Sequence, residues 1–322
     1  MKEIKVTKND SGQRIDRFLS KSFPLGQGQI CKLARKNCIK LNGKKCKPDT
    51  HIAENDIIKL FIPDEMLTPK AKSNPDDFTG VSDKIDIVYE DKNILLVDKP
   101  VGMVVHEDES GDSDTLINRI KSYLYHKGEY HPENELSFAP ALCNRIDRNT
   151  CGIVIAAKNA ESLRILNQKI RDRELTKLYL CIACGKVTPD SATLTAYLEK
   201  NSDTNTVKIS DKKTKSNLTI KTKYKVIAYN GENSLLKVDL LTGRTHQIRA
   251  HLAYIGHALL GDGKYGNNKL NKKYGFKYQA LCSYELQFKF TTDAGCLSYL
   301  DGKCFKAKAP DFVKMFGGNI KL

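Results

Sequence analysis

The sequence predicts an α+β protein, with a large domain built on a mixed, mainly antiparallel sheet and a small α/β module before it. Several stretches alternate apolar and polar residues, as half-buried antiparallel strands do, whereas fewer show helical spacing. In addition, residues 63–83 contain three prolines and many small polar residues without periodicity, which is typical of a moderately stiff linker. We therefore predict a domain at 1–62, a linker at 63–83 and a larger domain at 84–322.

The first 62 residues are expected to form two short helices and a β-hairpin. Apolar residues at helical spacing predict helices near residues 15–23 and 30–34. Asn42-Gly43 predicts a tight turn between two short strands, and the apolar segment 56–62 predicts a closing strand that Pro63 ends.

The larger domain shows strand patterns with one clear helix. Residues 218–229 and 234–243 alternate apolar and polar side chains around an Asn-Gly loop, which predicts a hairpin. The apolar segment 153–157 predicts a buried strand. Asn159 can cap a following helix. The inner face of that helix would consist of Leu163, Leu166 and Ile170.

The composition is that of an ordinary globular protein. The 322 residues are 40% hydrophobic and 28% charged. No apolar run approaches the ~20 residues that span a bilayer, and the start lacks the apolar core of a secretory signal. We expect a cytoplasmic protein without membrane contact. The ten cysteines are scattered, and Cys181-Ile-Ala-Cys184 has no second ligand pair nearby, so we expect buried thiols and no metal site.

The net charge of +15 indicates a polyanionic partner. Residues 1–62 hold 14 Lys or Arg against 6 Asp or Glu, a net charge of +8 in about a fifth of the chain. A generally lysine-rich surface would spread its charge, whereas this clustering favours RNA or DNA as the partner.

Patterns that mark cofactor or metal chemistry are missing from the sequence. It has no G-x-x-x-x-G-K-[ST] phosphate loop, no G-x-G-x-x-G and no G-x-S-x-G elbow. His246, His251 and His257 do not form an H-E-x-x-H site. The sequence therefore predicts chemistry by side chains alone, with no cofactor and no metal.

Asp147 is the first candidate for that chemistry, since it stands between Arg145 and Arg148 just before the apolar strand. The residue types alone would fit a surface ion-pair cluster, which usually contributes little. The apolar strand instead suggests that Asp147 lies at a sheet edge with solvent partly excluded. Burial would raise its pKa, and a neighbouring guanidinium would keep it ionised as a nucleophile or base.

The segment 240–266 is the second candidate. We expect its strand to end at Thr242-Gly243, and Arg244 and His246 to project before a short helix whose buried residues are Ile248, Leu252 and Ile255. Arg249 would lie in the first turn, where a cation opposes the helix dipole. Natural sequences break such a local rule mostly at functional sites. Residues 261–266 are interpreted as a turn.

The first 62 residues resemble the alpha-L RNA-binding motif. The matching stretches are residues 14–19 (RIDRFL), 32–36 (KLARK), 41–44 (LNGK) and 54–56 (END), in which Asn55 replaces a usual glycine. Asn tolerates the left-handed backbone of that turn. The resemblance implies RNA contacts by six basic residues: Arg14, Arg17, Lys32, Arg35, Lys36 and Lys44.

Residues 84–310 resemble the RluA-type pseudouridine synthases. The matching stretches are 89–106 (YED…LVDKPVG…H), 144–152 (NRIDRNTCG), 176–185 (TKLYL…G), 242–249 (TGRTHQIR), 261–266 (GDGKYG) and 280–281 (AL). The resemblance implies the pseudouridine synthase fold with a central cleft. It also implies isomerisation of uridine in RNA without a cofactor, and we expect a monomer.

The family's functional residues fall on identifiable positions of this chain. The resemblance makes Asp147 the nucleophile, Arg249 its partner and Tyr179 the ring that packs on uracil and is a candidate for assisting loss of the C5 proton. Tyr179 and Leu281 would otherwise be interpreted as core residues. Residues expected to contact the substrate are Arg145, which would help displace the target base, Arg148, Arg244, His246 and Leu281, which would lie under the base.

The substrate RNA is less well defined. The order of modules favours large-subunit (23S-type) ribosomal RNA, with tRNA as an alternative. Asn144, Ile146 and Cys151 stand where the family usually has His, Leu and Ser, which could alter substrate choice. Two rival functions remain: an RNA-binding protein without catalysis, and a glycoside hydrolase, which would need Asp239 or Asp262 as a second carboxylate.

Overall fold

The computed structural model describes residues 1–67, 76–107, 111, 113–201, 206–317 and 320–322, with the side chains of 76 and 77 excepted. Two sheets organise these residues. One has four strands and belongs to the first 60 residues, and the other has eleven strands and belongs to the rest. The predicted α+β class with a mixed, mainly antiparallel sheet is confirmed.

The small sheet has the strand order β1-β4-β2-β3, and two helices pack on it around a core that includes Phe18 and Ile30. Its elements are β1 (Lys2–Lys5), α1 (Ile15–Ser22), α2 (Gln27–Arg35), β2 (Ile39–Leu41), β3 (Lys44–Lys45) and β4 (Ile57–Leu60). Both helices and the turn at Asn42-Gly43 are confirmed, and both turn residues have positive φ. The sequence did not predict β1. Strand β4 ends at Leu60, three residues before Pro63, where Leu60 pairs with Lys2 of β1.

The large sheet has the strand order β11-β10-β12-β13-β9-β14-β8-β6-β5, with β15 beside β14 and β7 beside β8. Its strands are β5 (Ile87–Glu90), β6 (Ile94–Lys99), β7 (Ala141–Leu142), β8 (Cys151–Ala157), β9 (Leu175–Cys184), β10 (Ser191–Asn201), β11 (Thr206–Ser210), β12 (Leu218–Tyr229), β13 (Asn233–Asp239), β14 (Leu281–Phe288) and β15 (Cys304–Lys306).

Helices cover parts of the large sheet. They are α3 (Asp76–Thr79), α4 (Leu116–His126), α5 (Ala160–Arg171), α6 (Gln247–Tyr254) and α7 (Asn268–Lys273), with 3-10 turns at Asp64–Leu67, Pro132–Asn134, Gly295–Leu300 and Asp311–Phe316. Asn159 caps α5 as predicted, since its side chain accepts from the Ser162 N–H at 2.8 Å. None of the described helices is long and apolar enough to cross a membrane.

Strand β8 fixes the loop that carries Asp147, because the strand lies inside the sheet rather than at its edge. It pairs antiparallel with β6 and parallel with β14, and its residues from Gly152 to Ala157 are buried. Asp147 therefore lies before the start of an interior strand, and the predicted edge position is wrong. The β12–β13 hairpin is confirmed, but β13 ends at Asp239 rather than at Gly243.

The predicted linker falls partly outside the described residues, which omit 68–75. Leu67 packs into the small core and Phe78 into the large one. The small unit also touches the large one: Asn9 donates to Glu135 at 2.7 Å, and Arg164 donates to the Ser11 carbonyl at 2.8 Å. The domain limits 1–62 and 84–322 stay predictions.

Candidate active site

A cavity of about 310 Å³ opens beside the loop between β7 and β8. Its size falls at the lower end of small-molecule sites. Seven of the eight residues proposed for catalysis or substrate contact line it, namely Arg145, Asp147, Tyr179, Arg244, His246, Arg249 and Leu281. These residues come from the β7–β8 loop, β9, α6 with its preceding loop, and β14, so the fold collects them from distant parts of the chain.

Asp262, Arg249 and Asp147 form a row of alternating charges in the wall of this cavity. Arg249 donates from Nε and Nη2 to the two carboxylate oxygens of Asp262, at 2.7 and 3.0 Å. It donates from Nη1 to Asp147 Oδ2 at 2.9 Å. Asp262 is fully buried and Arg249 nearly so, whereas the Asp147 side chain is 27% exposed. Asp147 is therefore the carboxylate of the row that faces the cavity.

The electrostatics keep the buried members of this row charged. Burial acts to raise the pKa of Asp262, but the hydrogen bonds and charge of Arg249 outweigh it, so the pKa lies below its usual value. Burial acts to lower the pKa of Arg249. The hydrogen bonds and charges of Asp262 and Asp147 outweigh this effect, so the pKa of Arg249 lies above its usual value. A bidentate Arg–carboxylate contact fixes the guanidinium plane, so Asp262 orients the nitrogen that meets Asp147.

The two arginines that flank Asp147 in the sequence are not its ion-pair partners. Arg145 lines the cavity with an exposed side chain. Arg148 is exposed outside the cavity lining and donates through Nε to the Gly102 carbonyl at 3.1 Å. The cation that hydrogen-bonds Asp147 is Arg249 on α6, the partner that the family resemblance implies.

Lys99 holds the loop that carries Asp147. Its side chain is fully buried, and Nζ donates to the carbonyls of Pro100, Met103 and Arg148 at 2.8, 2.8 and 2.9 Å. Burial lowers the pKa of Lys99 to about 8. Pro100 and Met103 lie in the turn after β6, and Arg148 lies in the turn before β8, so Lys99 ties the two turns together. Loss of these bonds would leave carbonyls without a partner, which is costly.

His246 contacts the same row through a strained backbone. It is the residue before α6 and has φ 51°, a left-handed conformation that is unusual for a non-glycine residue and is found most often at functional sites. Its Nε2 lies 3.9 Å from Asp147 Oδ2. Burial lowers the pKa of His246 although Asp147 opposes it, so the imidazole is neutral at pH 7.

Tyr265 connects His246 to strand β11. The Val207 N–H donates to the phenol oxygen at 2.8 Å, and the phenol lies 3.0 Å from His246 Nδ1. In the tautomer whose Nδ1 accepts the phenol proton, Nε2 carries the imidazole proton on the side of Asp147. The ring of Tyr265 also lies under the Arg249 guanidinium, 5.4 Å from its carbon.

Tyr179 and Leu281 form the apolar side of the cavity. Tyr179 is on β9, opposite Ser283 of β14, and Leu281 is on β14 opposite Cys181. Both side chains are buried. Burial raises the pKa of Tyr179 to about 12, so the ring is a neutral phenol at pH 7.

The basic residues expected on the small unit lie mostly at the surface. Arg17, Lys32, Arg35, Lys36 and Lys44 are exposed. Arg14 is different, since its guanidinium is bound to the buried carboxylate of Asp16, with Nε–Oδ1 at 3.1 Å. Part of its function is therefore to hold α1 in place.

Sequence reasoning missed Asp262, Tyr265 and Lys99 as members of the site. Asp262 and Tyr265 lie in residues 261–266, which match the family and were interpreted as a turn without a role in the site, although a turn carrying both an acid and an aromatic residue close after Arg249 was an available signal. Lys99 gave none, since lysines are rarely buried. The described residues contain no group of three or more His, Cys, Asp or Glu suited to a metal ion.

Residues 93–254, which include Asp147, Tyr179 and Arg249, match the family model described as RNA pseudouridylate synthase. The chain belongs to the RNA pseudouridylate synthase family. The resemblance to RluA-type pseudouridine synthases is thereby confirmed, and the protein is an enzyme that isomerises uridine in RNA.

Relatives of this pseudouridine synthase cover most of its length. An uncharacterised RNA pseudouridine synthase of Mycoplasma genitalium is 36% identical over 88% of this chain and 88% of its own. Ribosomal large subunit pseudouridine synthase D of Borreliella burgdorferi is 31% identical over 81% and 78%. The solved structure of human RNA pseudouridylate synthase domain containing 1 covers 71% of this chain and 84% of its own, with 22% identity and a TM-score of 0.54, which supports the fold.

Proposed function

We propose that Asp147 is the nucleophile that converts a uridine, turned out of folded RNA into the cavity, to pseudouridine. The observation that carries this proposal is the row Asp262–Arg249–Asp147, because it places one arginine-paired carboxylate at the wall of a cavity large enough for a base. Turning a base out of an RNA helix costs a few kcal/mol, which stacking and basic side chains offset.

The reaction needs only the groups present in the cavity. An oxygen of Asp147 forms a bond to the ribose C1′ as the C1′–N1 bond breaks, and the electron pair of that bond stays on uracil N1. The detached uracil turns, its C5 bonds to C1′, and the bond between C1′ and Asp147 breaks. The C5 proton then leaves while N1 gains a proton, so the RNA keeps its composition.

Arg249 and His246 support different parts of this sequence. Arg249 hydrogen-bonds the Asp147 carboxylate before attack and stabilises it again when it is released. His246 lines the cavity, and in the tautomer with its proton on Nε2 it can donate to a uracil carbonyl. Tyr179 and Leu281 enclose the ring of the base, and a phenol with a pKa of about 12 suits stacking better than removal of the C5 proton.

The substitution Asp147→Asn tests the nucleophile. Asn keeps the size of the side chain and an oxygen for Arg249, but its amide cannot attack C1′. We expect RNA affinity within a few-fold of the wild-type value and no measurable pseudouridine, detected by mass spectrometry of digested RNA. The exposed pair of Asp311 and Lys314 provides the matched control Asp311→Asn, which should retain full activity. An active Asp147→Asn enzyme would show that the nucleophile is misassigned.

The two rival functions predict other results. A catalytically inactive RNA-binding protein would form no pseudouridine in any RNA. A glycoside hydrolase would release free uracil and needs a second carboxylate facing Asp147. Asp262 is fully buried behind Arg249, and Asp239 is not among the residues that line the cavity. The positions of these two carboxylates favour pseudouridine formation over hydrolysis.

We further propose that the substrate is large-subunit ribosomal RNA, that residues 1–62 contribute to its binding, and that the enzyme acts as a monomer in the cytoplasm. Relatives named ribosomal large subunit pseudouridine synthases C and D support the substrate. Mapping pseudouridines in cellular RNA with and without the protein tests it, and sites lost from tRNA alone would contradict it. Sedimentation of the purified protein tests the monomer.

A further inference from the structure

The excess positive charge of the chain is concentrated in two places. Residues 1–62 have a net charge of +8, and residues 191–229, which span β10 to β12, hold eight lysines against three carboxylates, a net charge of +5. The remaining residues hold 31 basic against 29 acidic side chains. The second concentration therefore needs its own explanation.

The lysines of β12 all face the same side of the sheet. Burial alternates along the strand, so that Lys221, Lys223 and Lys225 are exposed while Thr222 and Tyr224 between them are buried. Strand geometry spaces the three lysines ~6.6 Å apart. Lys208 of β11 is exposed on the same outer face, which we call the lysine face and define by these four lysines.

Hydroxyl side chains and few opposing charges accompany these lysines. On β10 their direct neighbours are Thr195 for Lys221, Thr193 for Lys223 and Ser191 for Lys225. Lys208 is opposite Glu199, and Lys223 has Asp239 as its neighbour on β13. None of the four lysines forms an ion pair of 4 Å or less with a carboxylate in the part of the chain that the structure describes.

The inner side of these strands fixes the lysine face in position. Ala196, Leu198, Val207, Ile209 and Ile220 pack together with Ala250 of α6. Because side chains alternate along a strand, a shift of one residue would expose this cluster and bury the lysines. The same packing therefore holds both the lysine face and α6, the helix that carries Arg249.

The lysine face and the cavity lie on opposite sides of the sheet and meet at one end of β12. The Lys221 N–H donates to the Thr242 hydroxyl at 2.8 Å, and the Lys221 carbonyl accepts from Gln247 Nε2 at 3.0 Å. Gln247 lines the cavity together with Gly243 and Arg244. An RNA that met both the cavity and the lysine face would have to pass around this end of β12.

We propose that the lysine face binds the phosphate backbone of a helical segment of the substrate RNA. Rows of lysines with threonines and serines between them suit phosphates, since both side-chain types contact backbone oxygens without reading bases. Helical RNA is bound mainly through its shape and backbone. The inference rests on the proposed function only in taking RNA as the substrate.

The test replaces the four lysines (Lys208, Lys221, Lys223 and Lys225) by glutamine in the full-length protein. The probes are an unmodified transcript of large-subunit ribosomal RNA and a duplex RNA oligonucleotide. We expect roughly tenfold weaker binding of both at low salt. The slope of log K against log salt should fall by about 0.9 for each phosphate that the variant no longer neutralises, or about 2 to 4 in total.

A matched control removes the same charge elsewhere. Lys92, Lys269, Lys272 and Lys303 are exposed and lie outside both the cavity and residues 191–229, so their replacement by glutamine should change affinity and slope little. Equal weakening in the two variants, or an unchanged lysine-face variant, would overturn the proposal. A wild-type protein that bound RNA but formed no pseudouridine would contradict the proposed function. The comparison of RNA binding by the lysine-face variant and the control variant would still test the lysine face.

Discussion

At the scale of single residues, the site depends on which carboxylate is buried and which faces the cavity. Asp147 and Asp262 bind the same guanidinium, yet Asp262 is fully buried and gives both its oxygens to Arg249. Asp147 shares one oxygen and is partly exposed. Two identical groups thus differ in their surroundings: Asp262 positions Arg249, and Asp147 faces the cavity, as the proposed nucleophile must.

Asp262→Ala should therefore damage stability and activity together. The substitution leaves the buried Arg249 without its main partner, and breaking a buried ion pair costs about 3–5 kcal/mol. We expect the free energy of unfolding in urea to fall by that amount, with pseudouridine formation reduced at temperatures where the variant is folded. Asp311→Ala, which breaks an exposed pair with Lys314, should unfold like the wild type. If the two variants proved equally stable, Arg249 would not depend on Asp262.

Single residues also show how far the sequence predicts the site. The motif around Asp147 and the segment 242–249 identified five residues that line the cavity, and the family resemblance added Tyr179 and Leu281. The residue types alone left open which arginine pairs with Asp147, because the direction of a side chain in a loop depends on distant packing, and only the family resemblance named Arg249. The sequence also could not show that Lys99 is buried, since three backbone carbonyls from two separate turns surround it.

At the scale of elements, α6 joins the reactive row to the β10–β12 strands. His251 of α6 is buried and its Nδ1 lies 2.9 Å from the Thr222 hydroxyl of β12. Gln247, one turn earlier, bonds Thr222 and the Lys221 carbonyl. The helix that carries Arg249 is thus held by polar bonds to β12 and by apolar contacts around Ala250.

These contacts make the attachment of α6 dependent on pH. Burial lowers the pKa of His251 to about 4, whereas an unfolded histidine titrates near 6.5. Between these values the unfolded chain binds more protons, so stability falls as the pH drops from about 6.5 to 4, by at most about 3 kcal/mol for this group. Urea unfolding across this range should be less steeply pH-dependent in His251→Gln. Equal pH dependence in both proteins would exclude His251 as the cause.

Elements with a local pattern were predictable and those defined by long-range pairing were not. The helix α5 has its cap and apolar face within a dozen residues, and the β12–β13 hairpin has its turn in the sequence. Strand β1 has four residues and one buried side chain, so its pairing with β4 gives no local pattern. The parallel contact of β8 with β14 joins residues some 130 apart and places Cys151 beside Cys282.

At the scale of the whole molecule, two basic surfaces belong to separate cores. The exposed basic residues of the small unit lie around α2, which packs in the core with Ile30, and the lysine face covers the cluster with Ile220. The small unit is held to the large one by contacts such as Ser137 to Asp10 at 2.7 Å and Asn9 to Glu135. These contacts hold the two surfaces in one connected structure.

This arrangement predicts that the two surfaces contribute independently to RNA affinity. Distant sites without shared partners have additive free energies. Replacing Lys32, Arg35 and Lys36 by glutamine should lower affinity and salt slope, and the changes should add to those of the lysine-face variant in a combined protein. Binding of the ribosomal RNA transcript across a salt series measures this. If the combined variant bound RNA no more weakly than the weaker of its two parents, one RNA molecule would meet only one of the two surfaces at a time.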